Sequence, residues 1–485
     1  MSQVLLRRQG NIVAAMPQSG ITVAGLHKLM RNSFKYGLKV RNDRRRANYT
    51  GQKYTTEPRY LCSLQTNAQQ PAVLFPAGLL HKASVLFAQC KIQWSLEDLR
   101  PRILPDPDIH NMELHKMSER DDQLRCLATI FNSDMGVIES PTGIGKTFVI
   151  CQLCRAYPKS NIIISSYRAD VIGSIFDRLR TERHVPLREL GQVGGGKRSP
   201  KRVTVSTIDS IEHCDIDGCR LFLYDECHEA ASEERQAKIA RIRMARMFGF
   251  SASPRGRSDG ADLAIEAMFG PVIYELPYQE GEAKGRLATI TVKVRRVPGS
   301  PIPYDDEVQQ YRHGIWRNDY RNHLIAQDAV EYAMKDHQVL IMVDKVEHAL
   351  MIKSRYLPRW PIVHGSVATE KVRAFKSLGI LQDTSWLCTK DQREQYRKDF
   401  ENGRIKFIIA TGVWSQGVDM KHLDVLVRGD AQTSIIKGTQ VPGRLSRGEA
   451  GLLRDYDDVF DERFASRSNK RFRHYESKGW DVIHC

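Results

Sequence analysis

The chain has 485 residues, of which 41% are hydrophobic and 27% charged, so a collagen-like, low-complexity or wholly disordered protein is excluded. Its 73 Lys and Arg residues outnumber 57 Asp and Glu residues, giving a net charge of +16. The pI of about 9.4 is typical of proteins with a nucleic-acid partner. No apolar run is long enough to span a membrane, and the N-terminus lacks the apolar core of a signal peptide. We therefore expect a soluble, cytoplasmic protein with no membrane partner.

The basic excess is concentrated at the N-terminus. Residues 1–110 contain 16 Lys and Arg against 6 Asp and Glu, a net charge of +10, and the rest of the chain carries the remaining +6. The hydrophobic pattern of this segment predicts helices over 21–36 and 77–90 and strands over 59–64 and 72–75. Prolines between 101 and 107 then interrupt any regular structure. We expect a small, basic α+β domain over residues 1–108.

A cluster of arginines lies inside this domain. Arg44, Arg45 and Arg46 follow closely on Arg41, and tyrosines at 49, 54 and 60 come after them. Basic side chains interleaved with aromatic ones suit contact with phosphates and stacking on unpaired bases. A solvated loop beside core tyrosines is the alternative reading of this pattern. We expect Arg44, Arg45 and Arg46 to contact nucleic acid and the domain to recognise a branch or fork.

The rest of the chain alternates short apolar runs with helical patterns. Short, uninterrupted apolar runs are typical of strands that a parallel sheet buries on both faces. One series contains 136–139, 161–165, 203–206, 221–224 and 247–251. A second series contains 339–343, 362–364, 407–410 and 425–427. The sequence therefore predicts two tandem α/β domains, 109–285 and 286–485, each built on a parallel sheet.

A glycine-rich segment follows the first of these runs and precedes a helical pattern. It contains Thr142, Gly143, Gly145, Lys146 and Thr147. A strand, a glycine loop and a helix in this order bind phosphate, because glycines let backbone N–H groups approach the ligand and the helix N-terminus attracts anions. We expect Lys146 to reach the β- and γ-phosphates of a nucleotide and the Thr147 hydroxyl to bind Mg²⁺.

An acidic pair, Asp225 and Glu226, ends the apolar run 221–224. An aspartate at the carboxyl end of a buried strand in the same sheet is well placed to hold Mg²⁺. The adjacent glutamate can orient and polarise the attacking water. A solvated surface pair is the alternative, and the apolar strand before it argues against that reading.

Two other short patterns are expected to be structural. Gly194-Gly195-Gly196-Lys197 lacks a strand–helix context and is expected to be a flexible loop. Cys151 and Cys154 form a CxxC pair, but no second pair completes a four-ligand zinc set. We expect these two cysteines to pack in an apolar helix.

The phosphate loop and the acidic pair, in this order, resemble motifs of the superfamily 2 helicases. Further segments between about 114 and 450 resemble the rest of that motif series. In chain order they are Arg120 with Gln123, which resemble the adenine-reading element, then 165–168, 205–207, 251–253, 341–344, 410–419 and 440–447. The last fits the pattern Q-x-x-G-R-x-x-R. A basic N-terminal domain before two motor domains is most similar to phage UvsW-type branch-migration helicases, with XPB-like relatives.

The resemblance implies two RecA-like domains that bind ATP and Mg²⁺ between them. Lys146, Thr147, Asp225 and Glu226 of the first domain would act on the phosphates, the metal and the water. The other implied roles fall into four groups. Arg444 and Arg447 would stabilise the transition state, with Arg447 the principal finger. Gln440 would sense the nucleotide, with Gly417 and Asp419 linking the cleft to the ribose or the strand. His228, Ser251 and Ser253 would couple hydrolysis to movement, and Ser165, Ser206, Thr207 and Thr411 would contact nucleic-acid phosphates.

We expect an ATP-dependent DNA helicase that unwinds or branch-migrates forked or branched DNA in replication, recombination or repair. We expect it to act as a monomer, with replication or recombination proteins as candidate partners. A double-strand DNA translocase that does not separate strands, and an RNA helicase, are the alternatives. The stretch 369–390, which includes Trp386, is longer than the family usually has here. We expect a surface loop, with a strand-separating element as the alternative.

Overall fold

The computed structural model describes residues 2–41, 54–66, 70–100, 120–182, 185–255, 257, 260–414, 420, 422–433, 445 and 450–485. Backbone contacts divide the chain into two compact units. The first comprises 1–140 and 145–276, and the second comprises 141–144 and 277–485. The domain boundaries at 108/109 and 285/286 stay predictions. None of the helices in the described part of the chain is long and apolar enough to cross a membrane.

The N-terminal domain (described residues 2–100) is an α+β fold, as predicted. Its strands are β1 Gln3–Gln9, β2 Ile12–Ser19, β3 Lys35–Arg41, β4 Tyr54–Tyr60, β5 Ser63–Gln65, β6 Ala72–Pro76 and β7 Gln93–Asp98, and its helices are α1 Val23–Ser33 and α2 Leu80–Gln89, the latter preceded by a 3₁₀ turn at Ala77–Leu79. Five strands form a sheet in the order β5-β6-β2-β1-β7, and β3 pairs with β4. The predicted helix 21–36 is too long, because Lys35 and Tyr36 belong to β3.

The N-terminal domain packs directly on the first parallel-sheet domain (described residues 120–276). The Asn11 Nδ2 atom donates to the Ile242 carbonyl at 2.9 Å. Gly10 and Gly78 approach the backbone of Arg243 and Glu266 so closely that a Cβ at either glycine would collide with a carbonyl oxygen. Side chains larger than glycine are therefore excluded from both points of the seam.

The first parallel-sheet domain is built on eight strands in the order β11-β10-β12-β9-β13-β14-β8-β15. They are β8 Met135–Glu139, β9 Ile162–Ser166, β10 Leu190–Gly194, β11 Lys197–Ser199, β12 Val203–Thr207, β13 Leu221–Asp225, β14 Arg246–Ser251 and β15 Val272–Glu275. Its helices are α3 Asp121–Phe131, α4 Lys146–Ala156, α5 Ala169–Thr181, α6 Glu233–Ile239 and α7 Asp262–Phe269, with 3₁₀ turns at Leu187–Glu189, Ile208–His213 and Cys227–Ala231. All five predicted strands are present.

The glycine run and the cysteine pair, both singled out in the sequence, lie in this domain. The glycine run 194–197 is not a flexible loop, because it forms the turn of the antiparallel hairpin β10–β11. Gly195 and Gly196 both have positive φ, at +61° and +83°, which a tight two-residue hairpin turn requires. Cys151 and Cys154 are buried in α4 and pack in the core, as predicted.

The second unit contains a seven-stranded sheet in the order β18-β19-β17-β20-β21-β16-β22, with every described pairing parallel. Its strands are β16 Thr289–Arg296, β17 Val339–Met342, β18 Ile362–Val363, β19 Phe407–Ala410, β20 Val425–Arg428, β21 Ala450–Asp457 and β22 Asp481–His484. Its helices are α8 Tyr278–Ala283, α9 Glu307–Tyr311, α10 Asp319–Met334, α11 Val346–Arg355, α12 Thr369–Ser377, α13 Lys390–Glu401 and α14 Glu462–Ser477, with shorter turns at Arg312–Trp316, Thr384–Trp386 and Gly412–Trp414. The four predicted strands of this series are confirmed.

The expected surface loop over 369–390 is wrong. Helix α12 occupies its first part and buries Phe375, and Ile380 and Leu381 join the same hydrophobic core. The Lys353 ammonium lies 4.8 Å from the centre of the Trp386 ring. The stretch is therefore part of the packed domain, because its apolar side chains pack on the core beneath it.

Buried ion pairs hold α14 against the second sheet. Arg471 donates to both oxygens of Asp455 at 3.0 Å, and the Tyr475 hydroxyl donates to Asp455 at 2.7 Å. The Asp455 side chain is fully buried and the Arg471 side chain is 2% exposed. Burial alone would raise the pKa of Asp455, but Arg471 and Arg428 hold that pKa below its ordinary value.

We predict that Arg471→Met lowers the free energy of unfolding of the second unit by about 3–5 kcal/mol, because it leaves the Asp455 carboxylate buried without its partner. The measurement is urea unfolding followed by tryptophan fluorescence, since five of the six tryptophans lie after residue 277. Arg473→Met is the control, because Arg473 is exposed on the same helix. Equal unfolding curves for the two variants would contradict the prediction.

Candidate active site

The glycine-rich segment connects β8 to α4 and has the backbone geometry of a phosphate cradle. Gly143 and Gly145 have φ values of +89° and +100°, in the left-handed region that favours glycine. Helix α4 begins directly after the second glycine, at Lys146. Its first N–H groups have no partner inside the helix, so this end attracts an anion. The Lys146 Nζ atom donates to the Ser140 carbonyl at 3.0 Å, which folds the lysine back over the loop.

Helix α3 places two predicted nucleotide-binding residues beside this loop. A Cβ added at Gly145 would lie 2.6 Å from the Gln123 Nε2 atom, so the glutamine side chain packs against the loop backbone. Arg120 donates to both carboxylate oxygens of buried Asp122, at 3.2 and 2.5 Å. The Asp122 carbonyl in turn accepts from the Tyr274 hydroxyl at 2.7 Å. The start of α3 is thereby fixed in position next to the loop.

The acidic pair lies at the carboxyl edge of the same sheet. Asp225 is the last residue of β13 and is 6% exposed, and its Oδ1 atom accepts from the Glu226 amide at 3.0 Å. Burial and the neighbouring Glu226 carboxylate raise the pKa of Asp225 to about 7, whereas Lys146 lowers it. Glu226 has a φ of +57°, which is strained for a residue with a side chain. Strain and desolvation therefore meet at one turn of the chain, as they do at functional sites.

These residues fit a magnesium–nucleotide ligand. Mg²⁺ at such sites uses one or two carboxylates together with substrate phosphates. Asp225 supplies such a carboxylate, and the half-buried Thr147 hydroxyl is a further oxygen donor on the other side of the site. In the described part of the chain, no group of three or more His, Cys, Asp or Glu side chains could hold a metal by itself. A divalent cation near Asp225 would also favour its ionised form, which burial now disfavours.

A chain of polar contacts runs from the acidic pair to β14. The Glu226 carboxylate lies 3.3 Å from the His228 Nδ1 atom, and that nitrogen lies 3.0 Å from the Ser251 hydroxyl. The Ser251 hydroxyl accepts from the Ser253 amide at 3.1 Å. His228 is 2% exposed and Ser251 is fully buried. The three predicted coupling residues therefore form one connected path that starts at Glu226.

One contributor to this path was missed from the sequence. The Arg257 guanidinium donates to the His228 carbonyl. It ties the segment after Ser253 to the segment after Glu226. A basic residue four positions after a serine motif carries no signal of its own, so only the fold reveals this contact.

The side chains predicted to contact nucleic acid are mostly buried. Ser165 and Ser206 are fully buried and Thr411 is 5% exposed, so their hydroxyls cannot reach a phosphate in this conformation. The Ser206 hydroxyl donates to the Thr207 carbonyl at 2.9 Å instead. Thr207 is half-buried at the end of β12. Nucleic-acid contact by Ser165, Ser206, Thr207 and Thr411, through hydroxyl or amide groups, stays a prediction.

The remaining predicted site residues lie outside the described residues. They are Arg44, Arg45 and Arg46 of the arginine cluster, and Gly417, Asp419, Gln440, Arg444 and Arg447 of the last two motifs.

Two family models match the chain: "Type III restriction enzyme, res subunit" over residues 116–256 and "Helicase conserved C-terminal domain" over 324–449. The chain is 24% identical to the DNA 3'-5' translocase XPB2 of Sulfurisphaera tokodaii, over 67% of this chain and 75% of that protein. It is 23% identical to the ATP-dependent DNA helicase uvsW of Enterobacteria phage T4, over 64% of this chain and 62% of that protein.

Among solved structures, S. cerevisiae Dbp5 bound to RNA and ADP BeF3 is similar with a TM-score of 0.52 at 14% identity. The match covers 79% of this chain and 94% of that one. At this identity the match bears on the fold alone, and it agrees with two parallel-sheet domains.

We predict that Asp225→Asn stabilises the ligand-free protein at neutral pH. The folded-state pKa of Asp225 is about 7, above its ordinary value of 3.8, so its contribution is present below pH 3.8 and is lost as pH rises through 7. Glu226, Lys146 and His228 are the neighbouring charged or titratable groups that bear on this pKa.

The measurement is the free energy of unfolding between pH 5 and 8 in the absence of nucleotide. The wild-type protein should lose on the order of 2–4 kcal/mol relative to the variant across this range. Asp217→Asn, on the loop before β13, is the control. Parallel pH profiles for wild type and Asp225→Asn would contradict the prediction.

Proposed function

Since the chain is a superfamily 2 helicase with XPB-like and UvsW-like relatives, we propose that it uses ATP hydrolysis to move on forked or branched DNA. The observation that carries the proposal is the meeting of three elements at one sheet edge. The glycine loop, Lys146 and the Asp225–Glu226 pair lie at the carboxyl ends of β8 and β13. This is the edge where open parallel sheets bind their ligands.

The family assignment sets the coarse activity, an ATP-dependent DNA helicase or translocase. Forked or branched DNA as the preferred substrate is our finer proposal. It is supported by the net charge of +10 over residues 1–110 and by the Arg44–Arg46 cluster. Such a charge neutralises phosphates and releases their counterions, so affinity should fall with salt by about 0.9 log units per log unit of salt for each phosphate contacted.

Each active-site residue of the first parallel-sheet domain has a proposed part in hydrolysis. The backbone of Gly143 and Gly145 and the start of α4 hold the phosphates, and Lys146 neutralises charge on the β- and γ-oxygens. Thr147 and Asp225 would hold Mg²⁺, which would supply further charge neutralisation. Glu226 orients the attacking water and accepts its proton.

The motif positions supply the rest of the proposal. Arg444 and Arg447 stabilise the charge that develops on the transferred phosphoryl group, and such an arginine contributes roughly 10³–10⁵ in rate. Gln440 responds to the nucleotide, and Gly417 and Asp419 link the cleft to the ribose or the strand. Arg120 and Gln123 hold the base.

The path from Glu226 through His228 to Ser251 supports a route for coupling. A change at the phosphates alters the Glu226 carboxylate, and its close contact with His228 and the His228–Ser251 hydrogen bond pass that change to β14 and the segment after it. Buried polar networks have few alternative arrangements, so they move between discrete states.

A second candidate is a double-strand DNA translocase that does not separate strands. The name of the Sulfurisphaera tokodaii relative, a DNA 3'-5' translocase, favours it. The two candidates share the ATP site and differ in what is done to the DNA. Strand displacement measured together with ATP turnover separates them.

We predict that Lys146→Ala lowers DNA-stimulated ATP turnover by at least about 100-fold, because it removes a charge aimed at the phosphates. ATP hydrolysis and strand separation are measured on a DNA fork, a four-way junction, plain duplex and matched RNA. Lys159→Ala is the control, because Lys159 is exposed beyond the end of α4.

Fork or junction processing by the wild type and the control, lost in Lys146→Ala, would support the proposal. ATP turnover on duplex without strand separation would favour the translocase. Stimulation by RNA and not by DNA would contradict both.

We predict that Ser251→Ala separates hydrolysis from movement. The variant removes the hydroxyl that contacts His228 and accepts from Ser253. ATP turnover should stay within about threefold of wild type, while strand separation per ATP falls about tenfold, since one buried hydrogen-bonded partner is worth about 1–3 kcal/mol. Ser466→Ala, at an exposed position of α14, is the control. Equal losses of both activities would contradict the coupling role.

A further inference from the structure

A cavity of about 420 Å³ lies within the first unit, between the N-terminal domain and the first parallel-sheet domain. Its volume falls in the range of roughly 300–1,000 Å³ that small-ligand pockets span. The N-terminal domain supplies residues from β2, β4 and β6, and the sheet domain supplies residues from α6, α7 and β14. Most of the lining is apolar, and it includes Leu61, Phe75, Ile239, Ile242 and Met268. None of the helicase motifs contributes to it.

Three polar side chains, those of Asn11, Tyr60 and Arg31, lie in or beside this cavity. Asn11 lines the cavity and is anchored through its Nδ2 atom on the Ile242 carbonyl. Its Oδ1 atom is buried and accepts no hydrogen bond within the described residues. Tyr60 also lines the cavity and keeps 40% of its surface exposed. The guanidinium carbon of exposed Arg31 lies 3.9 Å from the centre of the Tyr60 ring.

We propose that this cavity binds one unpaired nucleobase of a DNA fork or junction, with Tyr60 and Arg31 at its rim. An apolar slot takes the flat faces of the base, and an aromatic side chain and an arginine at the rim suit stacking and phosphate contact. The faces of a base become accessible to such a slot only when the base has left the duplex, so the site distinguishes a fork from a duplex.

This inference rests on the proposed action on forked DNA and names the element of the fork that is recognised. It also explains why the N-terminal domain packs directly on the first parallel-sheet domain. A base held in this seam touches both domains at once. The N-terminal domain and the first parallel-sheet domain are therefore connected through the bound base as well as through their direct contacts.

The first test fills the cavity without disturbing the core. Ala237 lines it from α6 and is exposed, so Ala237→Trp should fold normally and occupy the space. Ala88→Trp, at an exposed position of α2 away from the cavity, is the matched control. Binding is measured by anisotropy on a fork with a single-stranded arm and on the corresponding duplex, with the full-length protein and no ATP.

Ala237→Trp should weaken fork binding about 5- to 100-fold, the range that stacking of one base supplies. Duplex binding should stay unchanged, and so should both affinities of Ala88→Trp. An arm of abasic nucleotides keeps the phosphates and removes the bases. On that arm, wild type and Ala237→Trp should bind equally.

The second test probes the rim. Tyr60→Ala should weaken fork binding, and Tyr60→Phe should restore it, because the ring and not the hydroxyl stacks on the base. A 2-aminopurine in the single-stranded arm should change its fluorescence on binding to wild type and not to Ala237→Trp. Tyr320→Ala, at a position 52% exposed in the second unit, is the control.

Two negative results are distinguishable. Fork-selective binding by the wild type that Ala237→Trp and Tyr60→Ala leave intact would overturn the cavity and leave the proposed function standing. Equal affinity of the wild type for fork and duplex would overturn both.

Discussion

The parallel pairing of β13 between β9 and β14 is the constraint on which the candidate active site depends. In this register Asp225 stands opposite Phe250, and Ser251 stands opposite Glu139 of β8. All residues of β13 and β14 are buried, so every backbone group must pair inside the sheet. A slip of one residue would turn each side chain to the opposite face. The register therefore sets the positions of the acidic pair and of Ser251 at this edge of the sheet.

The site carries local costs that the rest of the domain offsets. Asp225 is desolvated beside a second carboxylate, and Glu226 adopts a left-handed backbone conformation. The desolvated carboxylate and the left-handed backbone each lower the stability of the fold. Such features are retained at sites where they serve ligand binding. The buried sheet and the packed core of α3 and α4 supply the compensating stability. A bound cation and polyphosphate would relieve the desolvation of Asp225, so ligand binding and the charge state of this group are linked.

The N-terminal domain and the first parallel-sheet domain form one packed unit. Close backbone approaches at Gly10 and Gly78, the Asn11 hydrogen bond and a shared apolar core all cross the seam. An isolated sheet domain would expose this apolar surface to water. The N-terminal domain and the sheet that carries the acidic pair therefore belong to a single compact unit. The second unit relies on a different device, a set of fully buried ion pairs around Asp455 and Asp458.

The sequence by itself determined the parallel-sheet domains, the phosphate loop and the acidic pair. Short apolar runs and the glycine spacing are local patterns, and local patterns survive in the sequence. The sequence also indicated that the CxxC pair is structural, and the pair packs in α4. Only the tertiary structure decided which side chains share a path or a cavity. Four features depend on segments that are distant in the chain. They are the His228–Ser251 contact beside Glu226, the burial of Ser165 and Ser206, the packing of the stretch 369–390 on the core, and the seam at Asn11. Such contacts depend on three-dimensional packing, which leaves no periodic signal along the chain.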